Sequence, residues 1–140
     1  MADSGNILRV EVVSPERVLF SGEATQVITR TMGGGEIAFL PGHATFLGAL
    51  VENHTRVYLT DGRVQDIAVH LGFVEVGAEH VSILSDTAEL AEDIDVARAR
   101  AAKERAEEQM RTGHSAEIEA DLRRAHARLA ATGGVPGAAH

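Results

Sequence analysis

Between Leu8 and Leu84 apolar and polar positions alternate in short runs. "ILRVEVV", "RVLF", "ATQVITRT", "EIAF", "TRVYLT", "RVQDIAVHL", "GFVEV" and "HVSIL" are rich in Val, Ile, Leu and Thr. A period of two in such residues marks strands that bury one face and wet the other. Turn residues punctuate the runs. In "TDGR", Thr60–Arg63, Asp-Gly supplies the positive φ of a tight hairpin. Gly33, Gly34 and Gly35 let the backbone reverse, and Pro41-Gly42 makes a second turn. The three glycines lead into "EIAF", a strand, whereas a phosphate cradle needs them to lead into a helix N-terminus. No helical period interrupts the runs, so the pattern predicts an antiparallel β-sandwich of about ten strands rather than a parallel sheet.

Past Asp86 the period changes. "TAELAEDIDVARARAAKERAEEQMRTGHSAEIEADLRRAHARLAATGG" has few β-branched residues and is dominated by Ala, Glu, Arg and Leu, which implies two helices of roughly 19 and 15 residues. Glu92, Asp93 and Asp95 at the start of the first and Arg105 and Arg111 toward its end suit the helix dipole. Gly113 stops that helix and Ser115 is the N-cap candidate of the second. Ile118, Leu122, Ala125 and Leu129 form one apolar stripe on the second helix. The first offers Ala99, Ala102 and Ala106, which permit close approach but bury little area, so the hairpin is expected to be loosely held and able to open. The expected fold is therefore β + α: a sandwich over 1–87, a two-helix hairpin over 88–131 and a disordered tail over 132–140.

The chain's 140 residues suffice for one domain with an appendage, and 44% apolar residues place it among globular proteins. Four Phe, one Tyr and no Trp make the core aliphatic. No apolar run approaches the roughly 20 residues of a membrane span, and "MADSGNILRV" lacks the features of a secretory signal, so a soluble protein without direct membrane insertion is expected. The absence of cysteine excludes disulfides and thiolate chemistry, and a formal charge of −8 argues against nucleic-acid binding. Histidines 43, 54, 70, 80, 114, 126 and 140 show no metal-ligand spacing, and no nucleophile turn is present, so neither a metal nor a catalytic residue is expected. Eight of the thirteen basic residues follow position 97. Arg98 and Arg105 are seven apart, and Arg124 and Arg128 four apart, so each pair shares a helix face. From the residues alone this is a solvated face, with pairs such as Arg100 and Glu104 contributing about 0.3 to 0.5 kcal/mol each.

The order of these parts, and the segments "VEVVSPERVLFSGEA", "GEIAFLPGHA", "IAVHLGFVEV", "VSILSDTAELAEDID" and "ARAAKERAE", resemble the epsilon subunits of F-type ATP synthases over most of residues 8 to 107. Ala38 stands where that family usually has glycine and Thr45 where it usually has proline, and the link between the helices is about one turn shorter than in some members. The resemblance implies a non-catalytic rotor subunit of a bacterial enzyme on the cytoplasmic face of the cell membrane. Its sandwich would join the gamma subunit to the c-ring, with Glu36 and His43 as interface residues, and its arm would reach the alpha/beta catalytic subunits and brake hydrolysis by meeting beta. In some bacterial members the folded hairpin binds ATP as a regulatory ligand. The corresponding positions here are Glu89, Ile94, Asp95, Arg98, Ala99 and Arg105, with Arg124 and Arg128 if the short link is a one-turn deletion. No cofactor is required. Two rivals stand beside this reading: a free-standing ATP-sensing module, which would purify alone, and a sandwich-fold enzyme with histidine-bound metal, which metal analysis would reveal.

Overall fold

The computed structural model describes residues 6–133. Nine strands come first: β1 Leu8–Val13, β2 Val18–Thr31, β3 Gly35–Phe39, β4 Phe46–Leu50, β5 Asn53–Leu59, β6 Val64–Val69, β7 Gly72–Val76, β8 His80–Leu84 and β9 Glu89–Leu90. A 3-10 turn over Ala91–Asp93 then leads into α1, Val96–Thr112, and α2, Ala116–Ala131. The β-sandwich followed by a helical pair is as the period change predicts.

The strands run in the order β1-β8-β7-β4-β2-β5-β6-β9, with β3 also on β2 and β1 pairing with β2. Pairing is antiparallel except between β1 and β8, where Val10 faces Val81 in a parallel ladder. Alternate residues of β1, β7 and β8 (Val10, Val74, Ile83) meet those of β2, β5 and β6 (Val27, Val57, Ile67) in one cluster of fully buried side chains. No residue of α1 or α2 belongs to that cluster. The core that folds the sandwich is complete without the hairpin.

The strands differ from the sequence expectation in three places, each for a local reason. "RVLF" and "ATQVITRT" are one strand, because the intervening Ser21, Gly22 and Glu23 pair with Glu11, Val10 and Arg9 of β1. Gly22 is not a break: a Cβ there would come within 3.1 Å of the Phe20 ring, so the glycine makes room for an aromatic two residues earlier on the same face. β4, "FLGAL", repeats the device. A Cβ on Gly48 would lie 2.7 Å from the Phe46 ring, and the glycine obscures a strand that the alternation alone does not reveal. β9 is only two residues long and is held by pairing of Glu89 with Ala68 and Leu90 with Ile67, carrying the sheet past residue 87.

The turns follow the glycines. Gly33, Gly35, Gly42 and Gly62 have φ of 79°, 71°, 86° and 92°, the left-handed region that L side chains rarely occupy. α1 is capped by Asp95, whose carboxylate accepts from Arg98 N at 3.0 Å, and so starts one residue later. Glu92 and Asp93 therefore belong to the 3-10 turn and not to the first turn of α1. Ser115 Oγ accepts from Ile118 N at 3.1 Å and starts α2 as expected. The expected tail over 132–140 lies mostly outside the described residues.

The hairpin lies against the outer face of β5 and β6. Ala127 and Ala131 of α2 pack on Ala68 of β6, flanked by Ala91 and Ile94. The helices pack on each other, and Ala99 and Ala106 of α1 and Ala125 and Leu129 of α2 are all buried.

The Phe46–Gly48 pair yields a direct test. Gly48→Ala forces the Phe46 ring off its seat against Phe39, 5.5 Å between ring centroids, and is expected to cost about 1 to 2 kcal/mol in chemical denaturation. Adding Phe46→Leu, which removes the ring, should make the alanine nearly neutral. A full cost in both backgrounds would show that the ring is not the obstacle.

Candidate functional site

The two helices carry their arginines toward one cleft. On α1, Arg98, Ala102, Arg105 and Gln109 recur at steps of four, three and four, placing them on one face above the buried Ala99 and Ala106. On α2, Asp121, Arg124 and Arg128 do the same at steps of three and four. Glu89 of β9, with Asp93, Ile94 and Asp95, closes the end nearest the sandwich. The cleft has a volume of about 460 Å³. All eight residues singled out on the helical side (Glu89, Ile94, Asp95, Arg98, Ala99, Arg105, Arg124 and Arg128) line it.

The electrostatics are less repulsive than four converging guanidinium groups suggest. Arg128 Nε donates to Glu89 Oε1 at 2.6 Å, and Arg124 is paired with Asp121 on its own helix. The Asp95 carboxylate caps α1. Arg98 and Arg105 are exposed and have no ion-pair partner among the described residues. The arginines divide accordingly into two neutralised within the fold and two without an ion-pair partner among the described residues.

Glu89 joins the cleft to the sandwich. His70, which follows β6 and is 2% exposed, meets Glu89 Oε1 at 2.9 Å through Nε2. That hydrogen bond, and after it the one from Arg128, hold the Glu89 carboxyl below its ordinary value of 4.5, against the opposing effect of partial burial. A second tie runs from Arg123 of α2 to Glu52, in the turn between β4 and β5, at 3.1 Å.

Sequence reasoning missed Asp93, Gln109, Asp121 and His70. Asp121 was within reach, since it lies three and seven residues before Arg124 and Arg128. His70 had no local signal, because its link to Glu89 spans 19 residues and depends on β9. The expected pair of Arg100 and Glu104 is absent among the described residues; Lys103 approaches Glu107 at 3.9 Å and Arg111 approaches Glu108 at 3.2 Å instead. Among the described residues no group of three His or carboxylate side chains is placed to hold a metal.

Glu36 and His43 lie away from this cleft and from each other. Glu36, at the start of β3, accepts from Arg56 of β5 at 2.8 Å. His43 follows the other end of β3, its Nδ1 donating to the Ala44 carbonyl at 2.7 Å and its ring edge-on to Phe39. Three residue steps along the strand, about 10 Å, separate Glu36 from Phe39. A further surface lies on the layer opposite the hairpin. Leu47, Phe73 and Leu84 point outward from β4, β7 and β8, at 70%, 55% and 45% exposure, and Phe73 faces Leu84 across the ladder. No helix among the described residues is long and apolar enough to cross a membrane.

Comparison with known proteins covers both parts of the chain. Residues 7–91 match the family profile described as ATP synthase, Delta/Epsilon chain, beta-sandwich domain. Residues 92–133 match the profile described as ATP synthase, Delta/Epsilon chain, long alpha-helix domain. Among similar proteins, an ATP synthase epsilon chain of Brevibacillus brevis is 45% identical over 103 residues, 74% of this chain and 77% of that relative. One of Moorella thermoacetica is 40% identical over 132 residues, 91% of this chain and 98% of that relative. A chain of the Euglena gracilis mitochondrial ATP synthase, OSCP/F1/c-ring in rotational state 1, has the same fold, with a TM-score of 0.78 over 90% of this chain and 81% of that one at 21% identity.

The Glu89 junction gives the stability a defined acid dependence. Because the folded-state value lies below 4.5, its contribution is present above pH 4.5 and is lost as pH falls through the lowered folded value. The stability difference between the parent chain and Glu89→Gln, measured by denaturation at a series of pH values, is expected to be positive at neutral pH and to shrink below 4.5. A difference independent of pH would mean that the carboxylate is not held by these donors.

Proposed function

This chain belongs to the ATP synthase delta/epsilon chain family, and from that premise we propose that it is a non-catalytic rotor subunit whose hairpin regulates hydrolysis and senses ATP. The observation that carries the regulatory part is the way the hairpin docks. It meets the sandwich through alanines and the ion pairs Arg123–Glu52 and Arg128–Glu89, and contributes nothing to the sandwich core. The Arg128–Glu89 pair is about a third exposed on each side and contributes about 0.2 to 1 kcal/mol, whereas in the other pair the Glu52 side chain is only 6% exposed. An arm held so can leave the sandwich without unfolding it, and two helices of 17 and 16 residues reach about 26 and 24 Å at 1.5 Å per residue.

The sandwich is the coupling element in this reading. The outward apolar strip of Leu47, Phe73 and Leu84 supports docking of the gamma subunit, since such a patch on a small domain marks an interaction surface. The turns at the two ends of β3, one by Glu36 and exposed Met32 and the other by His43 and exposed Leu40, are the proposed contacts with the c-ring and the foot of the gamma subunit. In the extended state the arm meets the alpha and beta subunits. The assembly works at the cytoplasmic face of the bacterial membrane, with no bond chemistry in this subunit. A chain ending at Leu90 is expected to keep its β-type circular dichroism and its binding to gamma, and to raise ATP hydrolysis when built into the complex. Unchanged hydrolysis would remove the braking role.

For the hairpin, the cleft supports ATP as ligand. Arg98 and Arg105 offer unpaired guanidinium groups to the phosphates, where charge-assisted hydrogen bonds are strongest. Glu89 and Asp95 offer acceptors to the adenine amine or ribose hydroxyls. Saturating ATP is expected to raise the melting temperature through linkage, about 2.7 kcal/mol at a hundredfold excess over the dissociation constant. Arg98→Ala and Arg105→Ala should each weaken binding about tenfold or more in calorimetry, the loss of one hydrogen bond to a charged group. Silence of the parent chain at millimolar ATP would leave these arginines to solvent or to the partner subunits.

A further inference from the structure

Among the described residues His70 is the one buried ring with a polar bond to the cleft wall, and nothing in the rotor reading uses it. Its side chain is 2% exposed, and its Nδ1 is buried with no hydrogen-bond partner among the described residues. A hydrogen on Nδ1 would therefore be a buried donor without an acceptor, so the ring carries its hydrogen on Nε2 and donates it to Glu89 Oε1 at 2.9 Å. Arg128 Nε donates to the same oxygen at 2.6 Å from the opposite element, α2. Neither bond uses Oε2. The charged groups facing this junction are Glu89 and Arg128, one from β9 and one from α2.

We propose that His70 is a positioning residue for the nucleotide cleft: it fixes Glu89 from the sandwich side so that Oε2 faces the cleft as an acceptor for a base amine or sugar hydroxyl. This rests on the ATP reading of the cleft and adds the part of the sandwich that takes part in it. His70 does not touch the ligand. Its effect passes through one carboxylate that also holds α2, so nucleotide binding and docking of the arm on the sandwich share a single carboxylate, Oε2 for the one and Oε1 for the other. Without the donor, the Glu89 side chain regains rotamers and follows Arg128 when the arm moves. With it, the carboxylate stays with the sandwich.

The test compares the parent chain with His70→Gln and His70→Leu. Glutamine places an amide donor near the position of Nε2, whereas leucine fills the volume without a donor. ATP affinity is read by calorimetry, folding by melting temperature, and the His70 tautomer of the parent by nitrogen-15 correlation spectra. The expected result is the Nε2–H tautomer, affinity of His70→Gln close to the parent, and a loss of about tenfold for His70→Leu, the lower end of what removing a bond that orients a ligating group produces. An Nδ1–H tautomer overturns the proposal whether or not the variants fold. Equal affinity of folded His70→Leu and parent overturns it while leaving ATP binding intact. A parent that binds no ATP overturns the reading of the cleft, and the positioning role with it.

Discussion

Side chains no larger than a methyl group set the distance at which the two parts of this chain meet. Ala68 faces Ala127 and Ala131 across the junction, and Ala99, Ala106 and Ala125 lie between the helices. Helix axes approach according to the side chains between them, and alanine gives the short end of the usual 8 to 10 Å. The same choice removes little apolar area from water, and at roughly 25 cal/mol per Å² the attraction is small. Closeness and weakness thus have one cause. Closeness lets Arg98 and Arg105 reach the same cleft as Arg124 and Arg128. Weakness leaves the docking of the hairpin to a few polar ties.

Of those ties Glu89 is the most constrained. Its backbone is fixed by pairing with Ala68, and its carboxylate takes donors from both sides, one in the sandwich and one in the arm. Two donors outweigh the cost of partial burial, which is why the carboxyl is stabilised in its charged form. Around it the cleft holds four arginines and four carboxylates, Glu89, Asp93, Asp95 and Asp121, in formal balance. The balance is uneven in space. Arg98 and Arg105 form a positive edge on a chain whose formal charge is −8. Screening over about 8 Å at physiological salt keeps the distant acidic residues from cancelling that edge.

Much of this was legible in the order of residues, and the exceptions share a reason. Period two announced the strands, alanine-rich helical text announced the arm, and Gly113, Ser115 and Gly62 marked boundaries by chemistry confined to a few neighbouring residues. Eight of the thirteen residues that line the cleft were legible through resemblance, four of them arginines also through helical spacing, which fixes a face but not its partner. What was hidden depends on contacts between distant segments. The glycines of β2 and β4 look like breaks until their aromatic neighbours are seen folded over them. β9 is two residues long and has no pattern of its own, only a partner in β6. The pairing of β1 with β8, and the bonds from His70 to Glu89 and Arg123 to Glu52, arise only once the sheet has closed.

The 14 residues of β2 carry a mechanical consequence. Its first half is bonded to β1, from Val18 to Ala24, and its second half to β5 and β3, from Ala24 to Thr31. One uninterrupted backbone therefore belongs to both layers of the sandwich. A twist applied to one layer cannot reach the other by bending a loop; it must stretch a covalent strand whose hydrogen bonds are loaded sideways, several at a time. The sandwich is in that sense a stiff body with a built-in tie bar, while the hairpin beside it is joined only by a short turn, methyl groups and two ion pairs.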